Sequence, residues 1–145
     1  MKEKIITIMV ILFAIGVGFI WYGYHERMER EAALQKSMVS VAEEEITLNQ
    51  VVPFAWDVVY TFAPYTSKEE IEAEIGFRSH AIREAYSEGI LQLVFVKGKQ
   101  VVAMVCDAPQ YLGYDVVFDD KITHAENAVF SVVKEGKVVQ LTRKE

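Results

Sequence analysis

The sequence predicts an α+β protein with an N-terminal transmembrane helix, a helical stalk and a small domain with a mainly antiparallel sheet and one or two short helices. A long uncharged run opens the chain, a stretch without Gly or Pro follows, and the rest is β-rich with Gly-bearing turns. The 145 residues allow one domain beyond the membrane segment. We divide the chain into a cytoplasmic tail (1–4), a transmembrane helix (5–24), a stalk or linker (25–50) and an α+β domain (51–145).

Composition and charge exclude some classes of function. The chain has 15 basic and 21 acidic residues, a net charge of −6, and 52% of its residues are hydrophobic, which argues against disorder. An acidic protein repels phosphate backbones, and no stripe of Lys and Arg with interleaved aromatic residues is present. We therefore expect no nucleic-acid partner.

The apolar run "IITIMVILFAIGVGFIWYGY", from Ile5 to Tyr24, predicts the membrane helix. Twenty helical residues cover about 30 Å, the thickness of the hydrocarbon core. The aromatic residues at its far end suit the headgroup layer. A cleaved signal peptide is the alternative, but the run is longer than the usual apolar region, and the nearest cleavage-like site, Glu31-Ala32-Ala33, is weak.

Orientation follows from the short tail rather than from charge. Basic residues are nearly balanced on the two sides of the apolar run, whereas a four-residue tail before a first helix usually stays cytoplasmic. This predicts a single-pass protein of the cell membrane with an extracytoplasmic domain. The single cysteine, Cys106, offers no disulfide framework.

The stalk region, "HERMEREAALQKSMVSVAEEE", consists mostly of residues that favour helices. Glu26 and Arg30 have the spacing of an ion pair on one helix face. The simplest interpretation is a helix that leaves the bilayer and continues as a stalk. A partial apolar stripe of Leu34, Met38 and Val41 keeps open the alternative that this helix folds back on the domain.

A strand and a capped helix are predicted in "WDVVYTFAPYTSKEEIEAEIG". The alternating residues Trp56, Val58, Tyr60 and Phe62 predict a strand with one apolar face, which ends at Pro64. Thr66 or Ser67 then begins a helix, because each has a glutamate three residues later. Ile71 and Ile75 share one face of this helix, and Gly76 ends it.

A second short helix is expected in "FRSHAIREAYSEG", with an inward face and an end at Gly89. The residues of that face are Phe77, Ala81, Ile82 and Ala85. Two hairpins follow, one pairing residues 91–96 with 100–106 around Gly98, the other pairing 129–133 with 138–142 around Gly136. The run "YDVVF" at 114–118 adds a further strand.

The first hairpin is apolar on both faces, whereas an antiparallel sheet normally leaves one face in water. One strand carries Leu91, Leu93 and Phe95 against Val94 and Val96. Its partner is expected to show Val101, Ala103 and Val105 on one face and Val102, Met104 and Cys106 on the other. Short helices cover one face; the second needs the stalk, the 107–128 loop, another copy of the chain, or a ligand or protein partner.

No motif for catalysis or metal binding is present. The three histidines are far apart, and the acidic cluster of Asp115, Asp119, Asp120 and Glu126 lacks calcium-loop spacing, so no metal or cofactor is expected. Cys106 is interpreted as a buried, inert thiol, since Asp107 beside it raises its pKa; an approach by His124 in space stays open. We therefore predict that the protein is not an enzyme.

The runs "WDVVYTFAPYTSKEEIEAEIG" and "LVFVKGKQVV" resemble small envelope proteins of Gram-positive bacteria that carry one N-terminal anchor or lipid signal. The resemblance covers about residues 54–105 and implies a compartment, but no activity and no site residue. The chain departs from lipid-anchored members because no acceptor cysteine follows its apolar run.

Three functions are compatible with the sequence. The first is a membrane-anchored module for protein interaction or self-association through the doubly apolar sheet. The second is a small-ligand or peptide-binding domain with a pocket between the sheet and the loop 107–128, for which Trp56, Tyr60 and Tyr111 are the candidate residues. The third is an envelope enzyme of unknown reaction.

Overall fold

A computed structural model describes all 145 residues, Met1 to Glu145, and has the predicted α+β class. Helix α1 (Lys2–Val39) joins the apolar run and the first part of the predicted stalk in one unbroken helix. This helix is long and apolar enough to cross a membrane, a criterion that a signal sequence also meets. Its residues 2–22 are exposed, whereas Leu34 and Met38 near its end are fully buried.

The remaining elements are short and alternate along the chain. In order, the strands and helices after α1 are β1 (Glu45–Thr47), α2 (Leu48–Val51), β2 (Val58–Thr61), α3 (Lys68–Ile75), β3 (Leu91–Lys97), β4 (Gln100–Asp107), α4 (Pro109–Leu112), β5 (Tyr114–Val117), β6 (Lys121–Thr123), a 3-10 turn (His124–Glu126), β7 (Val129–Glu135) and β8 (Val138–Arg143). The predicted stalk thus contains β1 and α2, and the predicted loop 107–128 contains α4, β5 and β6.

The strands form two four-stranded sheets. Sheet A has the order β1-β7-β8-β5, and sheet B has the order β4-β3-β2-β6. Neighbours are antiparallel except β5 and β8, which run parallel. Both predicted hairpins are present as β3–β4 and β7–β8, and both turns place a glycine in the left-handed region, Gly98 at φ 59° and Gly136 at φ 61°.

Two hydrophobic cores flank sheet B. The larger core lies between the two sheets and the end of α1, with Leu34, Phe95 and Phe130 among its fully buried residues. The smaller core lies between sheet B and α3, whose Ile71 and Ile75 pack with the other face of the sheet. Both faces of the β3–β4 hairpin are therefore covered within the chain, one by α1 and sheet A, the other by α3 and the segment 77–90.

A β-bulge changes the predicted faces of β4. Val101 pairs with Val96 and Ala103 pairs with Phe95, so Val102 is the extra residue. Val101 therefore joins the smaller core, and Val102 joins Ala103 in the larger core. The prediction of strict alternation in this strand is wrong at the bulge, because an inserted residue reverses the order of faces.

Helix α3 is confirmed with its predicted boundaries. The Ser67 hydroxyl accepts the Glu70 N–H, the Glu70 carboxylate accepts the Ser67 N–H, and Gly76 adopts φ 87° after the last turn. Acceptance of this N–H and of the Ser67 hydroxyl proton lowers the pKa of Glu70. Ser67, rather than Thr66, is the cap.

The second short helix predicted in 77–89 is wrong: this segment is irregular. Its carbonyls bind other parts of the domain, since the Tyr65 N–H donates to Ala85 O at 2.7 Å and Gln92 Nε2 donates to Arg83 O at 2.7 Å. The predicted inward residues do face the protein; Ile82 and Ala85 are buried. Tertiary hydrogen bonds replace the helical ones, although the apolar residues keep their role.

Candidate functional site

The edge strand β4 is closed by polar side chains of α1. Arg30 Nη1 donates to Val102 O at 3.3 Å, and Glu31 Oε1 accepts the Met104 N–H at 3.0 Å. Arg83, from the irregular segment, donates to Met104 O. An open edge strand would present these groups to another chain. Helix α1 therefore occupies the position that a further strand would take on sheet B.

The contact between α1 and the domain continues to the end of the helix. Gln35 Nε2 donates to Leu112 O at 2.8 Å, and the Ser37 hydroxyl donates to Val51 O. Gly113, at φ 81°, lies so close to Val39 that an added Cβ would be 2.9 Å from Val39 Cγ1. The sequence left open that the stalk helix packs on the domain. Residues 30–39 of α1 do so, a few residues after the end of the apolar run.

A cleft of about 220 Å³ lies between α1 and β4. Its walls include the side chains of Met28, Glu31, Arg83, Cys106 and Tyr114. Pockets for small ligands usually measure about 300–1,000 Å³. The cleft is smaller than that range, but it is the place where α1, sheet B and the segment after β4 meet.

The pKa values of three acidic groups of this cleft, Glu31, Cys106 and Tyr114, are raised. Burial raises the pKa of Glu31, although the Met104 N–H and the Arg83 charge act in the opposite direction. Burial also raises the pKa of Cys106, with Arg83 opposing and Asp107 adding to the shift. Burial and then the Glu31 charge raise the pKa of Tyr114. The Cys106 thiol is therefore protonated at neutral pH and is a poor nucleophile.

Cys106 and His124 are not brought together. Cys106 is in β4 and His124 follows β6, the two opposite edges of sheet B, which are about 14 Å apart at normal strand spacing. The thiol lies 3.8 Å from Glu84 O, and the His124 ring packs edge-on against Trp56 with centroids 5.1 Å apart. The arrangement does not form a thiol–imidazole pair.

The acidic residues Asp115, Asp119, Asp120 and Glu126 do not form a ligand set. In the structure, no group of three or more His, Cys, Asp or Glu residues is placed to hold a metal ion. Glu126 accepts hydrogen bonds from the Thr123 N–H and hydroxyl and pairs with Arg143 at 3.2 Å. These contacts lower the pKa of Glu126, those from Thr123 most.

The three aromatic candidates Trp56, Tyr60 and Tyr111 lie apart. Trp56 is buried in the larger core, where it packs edge-on against Phe95, and Tyr60 is buried in the smaller core on the opposite face of sheet B. Tyr111, on α4, is 75% exposed. Alternation predicts Trp56 and Tyr60 on one face, but β2 begins only at Val58, so Trp56 is outside the regular ladder.

The outer face of sheet A is the sheet face that no other part of the chain covers. Its exposed or half-exposed residues include Thr47, Val117, Val129, Ser131, Val133, Val138, Gln140 and Thr142. Val133 is 54% exposed, and charged residues occur at the border, as at Glu45 and Asp115. In the sequence, the alternation of "VFSVVKE" (129–135) is the signal that marks this face.

Comparisons with protein-family models, with curated proteins and with solved structures gave no significant match.

Proposed function

We propose that this protein is a single-pass protein of the cell membrane whose extracytoplasmic domain binds another protein through the outer face of sheet A. The observation that carries the proposal is that both faces of sheet B and the inner face of sheet A are covered, whereas the outer face of sheet A is not. This moves the interaction surface from the first hairpin to the second.

The docking of α1 supports a retained helix. Cleavage at Glu31-Ala32-Ala33 would cut within the docked part of α1 and remove Arg30. Val102 O would then lose its partner, and so would the Met104 N–H, because a cut after Ala33 also removes Glu31. An unpaired buried backbone group costs about 1–3 kcal/mol. Retention of the helix keeps the edge of sheet B closed.

The size of the outer face favours a partner in the same membrane. Four strands and the length of β7 give about 15 Å by 20 Å, on the order of 300 Å². Stable interfaces bury about 800 Å² on each partner, so this face alone supports weak association. Confinement of both proteins to one membrane raises their effective concentration and offsets the small area.

Site-specific photocrosslinking in intact cells tests this proposal. A photoreactive phenylalanine analogue replaces Val133 on the outer face or, as the matched control, Tyr86, which is 74% exposed on the irregular segment 77–90. We expect a discrete adduct from position 133 and none from position 86. An adduct of twice the chain mass identifies self-association. Equal labelling from both positions, or none from position 133 in membrane-inserted chain, contradicts the proposal.

Small-ligand binding is the second candidate, favoured by the cleft beside α1. Its wall includes Asp107, Leu112 and Tyr114, so it lies between the sheet and the segment that the sequence marks for a pocket. A true ligand raises the unfolding temperature by mass action. Screening small anions and peptides on the full chain in detergent would support this candidate if the shift disappears in Arg83→Ala, and would contradict it if no compound shifts the transition.

A further inference from the structure

We infer that the β3–β4 turn, Lys97-Gly98-Lys99, rests on anionic phospholipid headgroups of the membrane that α1 crosses. This contact rests on the proposed membrane anchoring and adds a second, reversible attachment of the domain to the bilayer. The turn residues Lys97, Gly98 and Lys99 are exposed in the structure. We call this segment the KGK turn.

The direction of β4 relative to α1 places the KGK turn on the membrane side of the domain. Going up α1, Arg30 binds the Val102 carbonyl and Glu31 binds the Met104 N–H, both in β4, and Gln35 then binds the Leu112 carbonyl in α4, beyond the end of β4. Both elements therefore advance in the same direction, away from the apolar run. The beginning of β4, and the turn before it, lie nearest to the end of that run.

The height of the KGK turn follows from the rise of each element. From Arg30 back to Tyr24, α1 descends about 9 Å at 1.5 Å per residue. From Val102 back to Lys99, a strand aligned with the helix axis descends up to about 10 Å at 3.3 Å per residue. Helical side chains lean toward the N-terminus, which lowers the Arg30 contact further. The turn therefore lies near the level of Tyr24, where Trp21 and Tyr22 suit the headgroup layer.

The charges of the KGK turn fit an anionic surface. Lys97 and Lys99 present two ammonium groups on flexible stems. Asp57, an acid beside them, accepts the Gly98 N–H at 2.7 Å and so holds the turn in shape. A basic residue near an anionic membrane contributes about a fivefold change in the ratio of bound to unbound states.

The chain contains a matched turn at the other end of the domain. The β7–β8 turn, Lys134 to Lys137, also has two lysines and a glycine. Lys137 O lies 4.0 Å from a Cβ built on Gly113, and the same Cβ is 2.9 Å from Val39 Cγ1. Val39 is 15 residues beyond Tyr24, or about 22 Å up the helix. This turn is too far from the headgroups to touch them.

The test uses the full chain in two kinds of lipid nanodisc, one with neutral lipid only and one with about a third anionic phospholipid. Both carry a fluorescence quencher on the lipid headgroups. In the Cys106→Ser background, a fluorophore is attached through Gln100→Cys beside the KGK turn or through Glu135→Cys at the matched turn. We expect stronger quenching at position 100, increased by anionic lipid. Lys97→Glu with Lys99→Glu should lower it, by about fivefold per lysine in the docked ratio, while Lys134→Glu with Lys137→Glu should not.

The other outcomes contradict the contact, and each of them identifies which part of the inference is wrong. Equal, weak quenching at positions 100 and 135 in inserted chain overturns the contact and leaves the membrane anchor intact. Quenching at position 100 that ignores both lipid charge and the Lys97/Lys99 reversal overturns headgroup recognition. A chain that does not copurify with the discs removes the anchor, and with it this inference.

Discussion

The Glu31 carboxylate accepts the Met104 backbone N–H at 3.0 Å and lies 3.4 Å from the Arg83 guanidinium. It thereby joins the helix that follows the apolar run, the edge strand of sheet B and the irregular segment 77–90. A donor on an edge strand needs a partner, and here the partner is on the helix that also carries the apolar run. The domain therefore packs directly against the end of α1 and is not joined to it only by a flexible linker.

Replacing Glu31 tests whether this contact between α1 and β4 stabilises the fold. In Glu31→Ala, the Met104 N–H loses its acceptor, and we expect the free energy of unfolding to fall by about 1–3 kcal/mol. The matched control is Glu29→Ala, whose carboxylate is exposed and contacts only His25, so its effect should stay within about 0.5 kcal/mol. Denaturant titration of the full chain in detergent measures both. Equal effects would show that the Glu31 contact does not stabilise the fold.

The same residue predicts a pH dependence. Because burial raises the pKa of Glu31 above 4.5, the folded chain binds its proton more tightly than the unfolded chain. Relative to Glu31→Gln, the free energy of unfolding of the native sequence should therefore rise as the pH falls from neutral toward 4.5. Glu31→Gln keeps an acceptor for Met104 but has no proton to bind. Parallel stability curves for the two proteins between pH 7 and 4.5 would contradict the raised pKa.

Features set by neighbouring residues were predictable from the sequence. The presence of a capping box at Thr66 or Ser67, the end of α3 at Gly76 and both glycine turns depend on contacts within a few residues. Pairings between distant residues were not: β5 lies beside β8 through pairs such as Tyr114 with Val139, and the bulge at Val102 reverses the faces of β4. No local pattern encodes either.

The conformation of the segment 77–89 and the contacts of α1 with β4 were not predicted, for a related reason. Helical spacing in 77–89 describes which residues face inward, but an extended segment with tertiary hydrogen bonds at Arg83 O and Ala85 O buries the same residues. The sequence predicts Arg30 only as an ion-pair partner of Glu26 on a helix face, and it assigns Glu31 no contact with the domain. Their use as partners for the backbone of β4 depends on how α1 docks, which side-chain type alone does not determine.

Gly113 tests the packing at the far end of α1. In Gly113→Ala, the left-handed backbone costs about 1–2 kcal/mol, and the new Cβ also meets Val39 Cγ1 at 2.9 Å. Gly89→Ala, at φ 73° with open space around it, carries the backbone cost alone and is the control. We expect Gly113→Ala to be the more destabilising. Adding Val39→Ala should recover the excess; if it recovers none, Val39 does not press on this turn.

Cys106 should react slowly with alkylating reagents. Burial raises its pKa, and the half-buried thiol lies beside Glu84 O of the segment 77–90, so little thiolate is available at neutral pH. We expect iodoacetamide to modify it at least about tenfold more slowly than a cysteine introduced by Ser87→Cys, an exposed position. Glu31→Ala should accelerate the reaction by loosening α1. Rapid modification of the native protein would reopen the possibility of a reactive thiol.

The most direct test of the account is the intact mass of the chain recovered from carbonate-washed membranes. We predict that the full 16.5 kDa chain, with its N-terminal helix, stays in the membrane pellet and is absent from the soluble fraction. A shortened chain released into the soluble fraction, with its new N-terminus near Ala33, would contradict both the anchor and the docking of α1 as a permanent part of the domain.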